Sequence, residues 1–596
     1  MTFKRRTHTC GELREEHIGE EVVLNGWAAA RRDLGGVIFI ELRDRHGRTQ
    51  VVFEPTFNAE AHKNGGDIRS EYVLSIEGKV RKRPEGTENP ELPTGMIDVL
   101  VTRVVVLNKS ETPPFPIEER VEAHEDLRLK RRYLDLRREP MRRNLETLHH
   151  MKRVIHEYMD ANGFLEVETP ILMKSTPEGA RDFLSPSRLH PGKFYALPQS
   201  PQTYKQILMV AGVDRYYQIV KCFRDEDFRA DRQPEFTQLD VEMSFVTQDD
   251  VMTIVEGLMA RLFEKVWGKP LETPIPRLTY DEAMSRYGSD KPDLRFGLEM
   301  TTLNEVFANA EFRVFKEAIA KGGVVTGLLA PGCGDYTRNQ LDVLTDFVKK
   351  LGAGGLIWIR VTEDGLEAPT MKFFTDEEKR ALTEALGAKP GDLMLILSGD
   401  RNPTLTIMGA LRKEMARRLA LIKPDADPKL LWVYDFPLLE WDAQTQRHYA
   451  MHHPFTSPRE EDLALLERDP GKARAQAYDL VLNGNEIAGG SIRIHDTTLQ
   501  KAMFKALGIG EEEAQEKFGF LLDAFKYGAP PHGGVAFGFD RMAMIFTGSS
   551  SIRDVIPFPK TAAGVSLMDD APSEVDPKQL RELHIRLRRE AKDEKK

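Results

Sequence analysis

The chain has 596 residues, 41% of them hydrophobic and 30% charged, with a net charge of −10, a length that predicts roughly three to five domains. No long apolar run occurs and the stretch MTFKRRTHTCGELREE lacks the apolar core of a signal peptide, so the expectations are a soluble protein, no membrane span and a cytoplasmic location. Three scattered cysteines, Cys10, Cys222 and Cys333, fit neither a zinc site nor a disulfide framework, and the acidic balance excludes wholesale coating of nucleic acid while leaving room for a local basic patch.

Residues 1 to about 108 contain five strand-like runs, EEVVLNGWAAA, GVIFIELRD, RTQVVFEP, YVLSIEGKVRKRP and MIDVLVTRVVVL, which predict a small Greek-key barrel. Alternation in GVIFIEL puts Ile38, Ile40 and Leu42 on one face and Phe39 on the other. With Arg31, Arg32, Arg43, Arg45 and Arg48 close in sequence, Phe39 reads either as a stacking platform for single-stranded nucleic acid or as an aromatic covered by a loop. TPPFPIEE, from Thr112, reads as a linker. The run RLKRRYLDLRREPMRR that follows has eight basic and two acidic residues, and charge alone favours a solvated helix.

Helical spacing of Leu145, Leu148, Ile155 and Met159 predicts a helix through NLETLHHMKRVIHEYMDANG, ended by Gly163, and FLEVETPIL then predicts a strand ending near Pro170. ALPQSPQTYKQILMVAG predicts a helix with Ser200 as its cap, Pro201 in its first turn and Gly212 at its end, which puts Gln202 and Lys205 on one face. From about 296 to 425 helices and strands alternate with Gly-rich joints and no catalytic spacing, the texture of an α/β module inserted into another domain. Strand-like sequence resumes at LLWVYDFPLLEW, and the tail QLRELHIRLRREAKDEKK starts as an amphipathic helix.

Three clusters carry chemistry. FRDEDFRADRQPEFTQLDVEMSF, starting at Phe223, reads as two strands and a loop. On the return strand Phe236, Gln238, Asp240 and Glu242 share one face, and Thr237, Leu239, Val241 and Met243 form a core face. Arg224 and Glu226 share a face of the outgoing strand, and arginine, carboxylates and an aromatic around one pocket suit a nucleotide. GGVAFGFDRMAMIFTG has glycines at 533, 534 and 538 for close backbone approach and a helix opening at Asp540–Arg541; it holds neither GxxxxGK[ST] nor GxGxxG. In DLVLNGNEIAGGSIRIHD, Asp479 and Glu486 suit Mg²⁺ shared with phosphate oxygens, and Arg493 suits a carboxylate. A straight strand would put Glu486 and Arg493 on opposite faces, so a bulge at Gly489–Gly490 is expected if they act together. His452 and His453 admit three roles, zinc ligand, acid/base group or hydrogen-bond donor, and zinc is disfavoured for want of a third ligand nearby.

Taken in order, these segments resemble the three signature motifs of class II aminoacyl-tRNA synthetases: the helix and FLEVETP, the FRDE hairpin, and GFDR at 538–541. The finer resemblance, over nearly the whole chain, is to the bacterial-type aspartyl-tRNA synthetases, carried by TPEGARDFL, QSPQTYK, FRDEDFRADRQPEFTQLD, MHHPFT and GGSIRIHD. It implies a multidomain α+β fold: an OB-fold anticodon-binding barrel (1–108), a hinge (109–140), an antiparallel-sheet catalytic domain in two parts (141–295 and 426–560), an inserted GAD-like α/β domain (296–425) and a C-terminal extension (561–596). It further implies a homodimer, ATP and Mg²⁺, L-aspartate, and tRNA(Asp), with tRNA(Asn) left open as a second acceptor.

By the same resemblance Arg224, Asp225, Glu226, Gln233, Phe236, Glu486, Gly538, Phe539, Asp540 and Arg541 bind ATP, with Arg224, Glu486 and Arg541 catalytic. Glu178, Ser200, Gln202, Lys205, Arg224, Asp240, His452, His453 and Arg493 bind aspartate, and Asp479 and Glu486 hold the metal. Arg32, Phe39 and Gln50 meet the anticodon, with Arg229 and Arg232 near the acceptor end or the phosphates. Leu34 and Gly86 bear on the choice between the two tRNAs. The rivals are an asparagine or lysine synthetase, an RNA-binding relative without catalysis, and an ammonia-dependent asparagine synthetase. The pairing of Lys205 with Arg493 suits a carboxylate side chain and speaks against the first.

Overall fold

The computed structural model describes residues 3–176, 180–226, 231–423 and 425–588. They form two compact units, one made of the chain up to His149 together with Thr547–Glu574, the other of most of the chain between His150 and Phe546 with the segment from Val575.

In the first unit, β1 (Glu21–Leu34), β2 (Val37–Arg43), β3 (Arg48–Phe53), β4 (Val73–Lys82) and β5 (Ile97–Asn108) close into a barrel of order β1-β2-β3-β5-β4. The period-two pattern decides the inside: Leu24, Ile40, Leu42, Val51, Ile76 and Val99 are fully buried, and Ile38 nearly so. A helix that the strand reading missed, α1 (Ala59–Gly66), lies between β3 and β4, with Gly65 so near the Phe53 ring that a Cβ there would stand 2.8 Å from it. Of the arginines near Phe39 in sequence, Arg43 is no surface cation, because it is buried and grips the buried Glu71 at 2.8 and 2.9 Å.

The basic run is no solvated helix. It breaks into α2 (Glu125–Lys130), α3 (Arg132–Asp135) and the start of α4 (Glu139–Ala161). The fully buried Asp135 accepts from Arg132 at 2.7 Å and from Arg138 at 2.8 Å. Arg132 also caps the carbonyls of Arg553, Ile556 and Pro557, Arg138 those of Glu118 and Glu119, and Arg137 reaches Glu71 while lying over the Trp27 ring. Arginine serves here as a many-armed donor to backbone rather than as a solvated charge.

The helix α4 starts five residues before Asn144, with Pro140 in its first turn, where a missing N–H costs nothing. Met151, Ile155 and Met159 form its buried stripe, and Gly163, at φ +74°, takes the left-handed position after its end. FLEVETPIL contributes only a two-residue strand, β6 (Leu165–Glu166), which pairs parallel to its neighbour. A small hairpin, β7 (Leu184–Pro186) and β8 (Phe194–Ala196), precedes α5 (Gln202–Val210). Pro201, not Ser200, is the cap of α5, although the Gln202 N–H still donates to Ser200 Oγ at 3.4 Å. Then come β9 (Arg215–Phe223), β10 (Glu235–Ser244), α6 (Gln248–Leu262), the short β11 (Arg277–Thr279) and α7 (Tyr280–Tyr287).

The inserted module follows as β12 (Met300–Thr302), α8 (Arg313–Ala320), β13 (Val324–Ala330), α9 (Arg338–Lys350), β14 (Ile357–Thr362), β15 (Gly365–Glu367), α10 (Asp376–Leu386), β16 (Leu393–Gly399) and α11 (Arg401–Arg418). Its five strands pair antiparallel in the order β12-β13-β16-β14-β15 around Phe307, Phe315, Ile359 and Ile396. The chain then returns with β17 (Leu430–Tyr434), the hairpin β18 (Leu439–Asp442) and β19 (Arg447–Ala450), α12 (Leu465–Arg468), β20 (Ala477–Leu482) and β21 (Asn485–Ile492). Two helices that the strand-rich reading missed, α13 (Thr497–Ala506) and α14 (Glu511–Phe525), precede β22 (His532–Gly538) and α15 (Phe539–Phe546). Among the described residues of the tail, α16 (Pro577–Glu582) is helical. The main sheet has eight strands, β11-β17-β20-β21-β22-β10-β9-β6, antiparallel except at its two edges.

Candidate active site

Cross-strand register lines up the chemistry on one face of the eight-stranded sheet. Asp479, Gly489, Ala536 and Asp240 form one row; Ala477, Ser491, Gly534 and Glu242 form the next. The glycines of these rows make room for carboxylates. A Cβ on Gly534 would lie 2.1 Å from Glu242 Oε2, and one on Gly489 would lie 2.7 Å from Asp479 Oδ1. Gly538, by contrast, has only ordinary contact with Arg541.

Glu486 and Arg493 do share this face, through a bulge whose position differs from the expected one. Val481 pairs with Glu486 and Leu480 with Ala488, so Ile487 is the extra residue. Gly489 and Gly490 are glycines for steric reasons instead, since a Cβ on Gly490 would stand 2.1 Å from the Gly534 carbonyl.

At the buried end, the Lys205 ammonium on α5 donates to Asp240 Oδ1 at 2.5 Å and lies 3.1 Å from Glu242 Oε2. Arg493 holds the same Glu242 through Nε and Nη2 at 3.1 and 3.3 Å, while its Nη1 donates to Ser491 Oγ at 2.7 Å. The two cations thus meet at Glu242, a residue that the sequence put on the ligand face without a role. Burial pushes the Glu242 carboxyl up, but Arg493, Lys205 and His532 outweigh it and hold it at about 2. Asp240 moves the other way: burial raises it against the pull of Lys205, and its Oδ2 is buried with no partner among the described residues. Gln202 donates to Gln206, Gln206 to His532 Nε2, and His532 Nδ1 to the Pro530 carbonyl, a chain that fixes the His532 tautomer.

The two histidines differ. His453 Nδ1 accepts from the Phe455 N–H at 3.3 Å, so the proton sits on Nε2, which is buried and meets no partner among the described residues. Burial, then Arg493 and Lys205, pull it down to about 3. His453 is thus a neutral imidazole that keeps a buried N–H donor. His452 Nε2 lies 3.5 Å from Asp479 Oδ1, and that contact raises its pKa against burial.

The outer end is looser. β9 stops at Phe223, so Arg224 and Glu226 stand in the connection rather than on a strand, and Arg224 lies over the half-buried Phe236 ring at 5.2 Å. Glu226 pairs with Arg232 at 3.0 Å, Asp225 lies 3.8 Å from Arg181, and Gln233 is buried. Asp540 accepts from the Thr237 N–H at 2.7 Å, which fastens the start of α15 to β10; Phe539 is buried beneath Lys152. Arg541 donates to the Glu486 carbonyl at 2.8 Å and approaches Asp231 at 3.5 Å. Glu178 and Arg229 lie outside the described residues.

Asp479 and Glu486 reach over one point: the Cβ position of Gly489 is 2.7 Å from one carboxylate and 3.8 Å from the other. Burial, then Asp479, push the Glu486 carboxyl up, against the pull of Lys291 and Arg541. Among the described residues no three acidic, histidine or cysteine side chains converge. Two carboxylates are a donor set that fits Mg²⁺ completed by phosphate oxygens rather than an all-protein cage.

On the barrel, Arg32 pairs directly with Phe39 and Glu41 with Gln50, so the three residues read from sequence share one outward face. Arg32 is exposed and donates to Glu41 at 3.3 Å. Leu34, 63% exposed, ends β1 at the turn to β2; Gly86, at φ +83°, lies in the β4–β5 connection.

The family model for tRNA synthetases class II (D, K and N) matches residues 124–562, and that for the OB-fold nucleic acid binding domain matches 22–107. An aspartate–tRNA(Asp/Asn) ligase of Caldanaerobacter subterraneus subsp. tengcongensis is 55% identical over 583 residues, covering 98% of each chain. An aspartate–tRNA ligase of Macrococcus caseolyticus is 54% identical over 583 residues, again covering 98% of each. The asparaginyl-tRNA synthetase from Pyrococcus horikoshii complexed with asparaginyl-adenylate superposes with a TM-score of 0.57 at 20% identity, covering 93% of this chain and 98% of that one, a likeness of fold. A family model across most of the chain, relatives alike from end to end and a sheet to which each of the three motifs contributes a strand lead to one conclusion: the chain belongs to the class II tRNA synthetases of the D, K and N group, in the aspartate–tRNA ligase family.

Proposed function

We propose that the chain activates L-aspartate with ATP and transfers it to the 3′-terminal adenosine of tRNA(Asp). The observation that carries this reading is the buried set of Lys205 and Arg493 around an ionised Glu242, beside Asp240. Two cations suit a side-chain carboxylate, and a lysine side chain would meet repulsion there; Glu242 keeps both cations in place. In this reading Lys205 and Arg493 take the aspartate side chain, and Asp240, Ser200 and Gln202 its ammonium. The Nε2–H of His453, which has no partner among the described residues, donates to the substrate, with His452 beside it.

The substrate α-carboxylate then faces Arg224. One of its oxygens bonds to the α-phosphorus of ATP, the P–O bond to the β-phosphate breaks, and pyrophosphate leaves with the electron pair. Arg224 stabilises charge at the α-phosphate, Arg541 holds the γ-phosphate, and Phe236 stacks on the purine, with Asp225, Glu226, Gln233 and the Gly538–Arg541 turn completing the site. Asp479 and Glu486 would hold Mg²⁺, which supplies charge neutralisation on the triphosphate. The terminal hydroxyl of the tRNA next attacks the adenylate carbonyl and AMP departs. Orientation and fixed charge supply the rate without a protein nucleophile.

Arg32, Phe39 and Gln50 offer a cation, a stacking ring and an amide to the anticodon, and Leu34 and Gly86 bear on tRNA(Asp) alone against tRNA(Asp) plus tRNA(Asn). A homodimer is supported by exposed Leu165, Ile171 and Leu172, at 57, 41 and 54%, beside the edge strand β6. No helix among the described residues is long and apolar enough to cross a membrane, and we place the work in the cytoplasm. The test is aspartate-dependent exchange of labelled pyrophosphate into ATP, and its absence would sink the assignment. Charging both purified tRNAs decides the acceptor.

A further inference from the structure

Lys291 lies in the connection of residues 288–299 that leads from α7 into the inserted module. Its ammonium stands 3.7 Å from Glu486 Oε2 and 3.9 Å from Asp290 Oδ2. Both are ion-pair distances too long for hydrogen bonds, and the side chain is 44% exposed. A half-exposed pair of this kind contributes almost nothing to stability, and it leaves all three ammonium donors available.

The connection itself is held firmly. The fully buried Arg412 of α11 donates to the carbonyls of Asp293, Phe296, Gly297 and Leu298, and lies over the rings of Tyr287 and Phe296 at 4.9 and 4.1 Å. Asp293 packs on the β20–β21 turn, where a Cβ on Gly484 would lie 2.9 Å from the Asp293 Cβ. Glu486 follows that turn by two residues. The inserted module therefore grips, through Arg412, a connection that sets a loosely paired lysine against the same glutamate whose carbonyl accepts from Arg541.

We propose that Lys291 is a third phosphate-binding cation of the nucleotide site. It meets the β- and γ-phosphates of ATP next to Glu486 and takes up charge on the pyrophosphate as it leaves, and the inserted module holds it there. This rests on the ATP reading given above. A lysine suits the task because it acts as a mobile point charge whose present partner is the carboxylate that phosphates and their counter-ion would engage.

The experiment is calorimetric titration of ATP and of AMP, with Mg²⁺ and with a chelator, into the full chain and its Lys291→Met and Lys291→Arg variants. The expected result is ATP affinity reduced about tenfold or more in Lys291→Met, partly restored in Lys291→Arg, with AMP affinity unchanged. ATP binding within twofold of the unaltered chain overturns the proposal. Equal losses for ATP and AMP overturn it as a disturbance of the fold, and tighter Mg²⁺-dependent binding overturns it by showing that Lys291 only competes with the metal. If the unaltered chain binds no ATP, the nucleotide reading itself fails, and the proposal with it.

Discussion

The two ends of the site are built on different terms. Around Lys205, Asp240, Glu242 and Arg493 every charged side chain is at most 5% exposed, and most donors already have an acceptor. Around Arg224, Phe236, Glu486 and Arg541 the side chains are partly exposed and lean on neighbours a substrate would displace, as Arg224 does on Phe236. Selection among side chains that differ by one charge or one amide calls for preorganised, desolvated groups, because an unpaired buried charge costs several kcal/mol. On the proposed reading, holding a triphosphate needs attraction more than discrimination, a task that partly exposed arginines such as Arg224 and Arg541 suit.

If that contrast is right, substitutions at the buried end damage fold and selectivity together, whereas those at the outer end alter nucleotide handling alone. The largest effect is expected for Glu242→Gln, which takes the carboxylate from buried Arg493 and leaves Lys205 with Asp240 alone: a loss of about 3–5 kcal/mol in denaturant unfolding, and no measurable pyrophosphate exchange. A variant as stable as the parent would mean that Glu242 does not bind the cluster together. Next, Arg493→Lys keeps the charge but loses the fork on Glu242, and should raise KM for aspartate about 30-fold, roughly 2 kcal/mol, with KM for ATP unchanged. Phe236→Ala should raise KM for ATP about tenfold, from lost stacking, and leave Tm where it was. A fall in Tm would place Phe236 with the buried end and blur the distinction.

The smallest effect is a pH dependence. His453 titrates near 3 in the folded chain, against an ordinary value of about 6.5 once unfolded. Its contribution to stability is full above about pH 6.5 and is lost as pH falls toward 3, because the unfolded chain takes up a proton that the folded one refuses. In His453→Phe that loss is absent. The stability of the parent relative to the variant should therefore decline by about 1 kcal/mol between pH 6.5 and 5.5, and a constant difference would show that His453 is not held neutral.

How far the site could be read from the sequence varies residue by residue. Alternation in β10 correctly put Phe236, Gln238, Asp240 and Glu242 on one face, yet nothing in that strand says that Glu242 meets Arg493, 251 residues away. The Gly489–Gly490 pair suggested a bulge. The bulge lies at Ile487, and the glycines yield space to Asp479 and to the backbone of β22. Arg132 and Arg138 belonged to a run read as solvated charge, because sequence does not show the carbonyls that turn toward them. Lys291 had no signal of its own; only its place beside Glu486 gives it one.

The sequence by itself determined the five-stranded barrel, the inserted α/β module and the two faces of β10. These follow from periods of 2 and 3.6 residues, which act within a few neighbours. It also carried the family motifs. The tertiary structure decided which cation meets which carboxylate, where the parity of β21 resets, and which arginines leave water, since each depends on atoms brought together across the chain and on how much solvent that leaves between them.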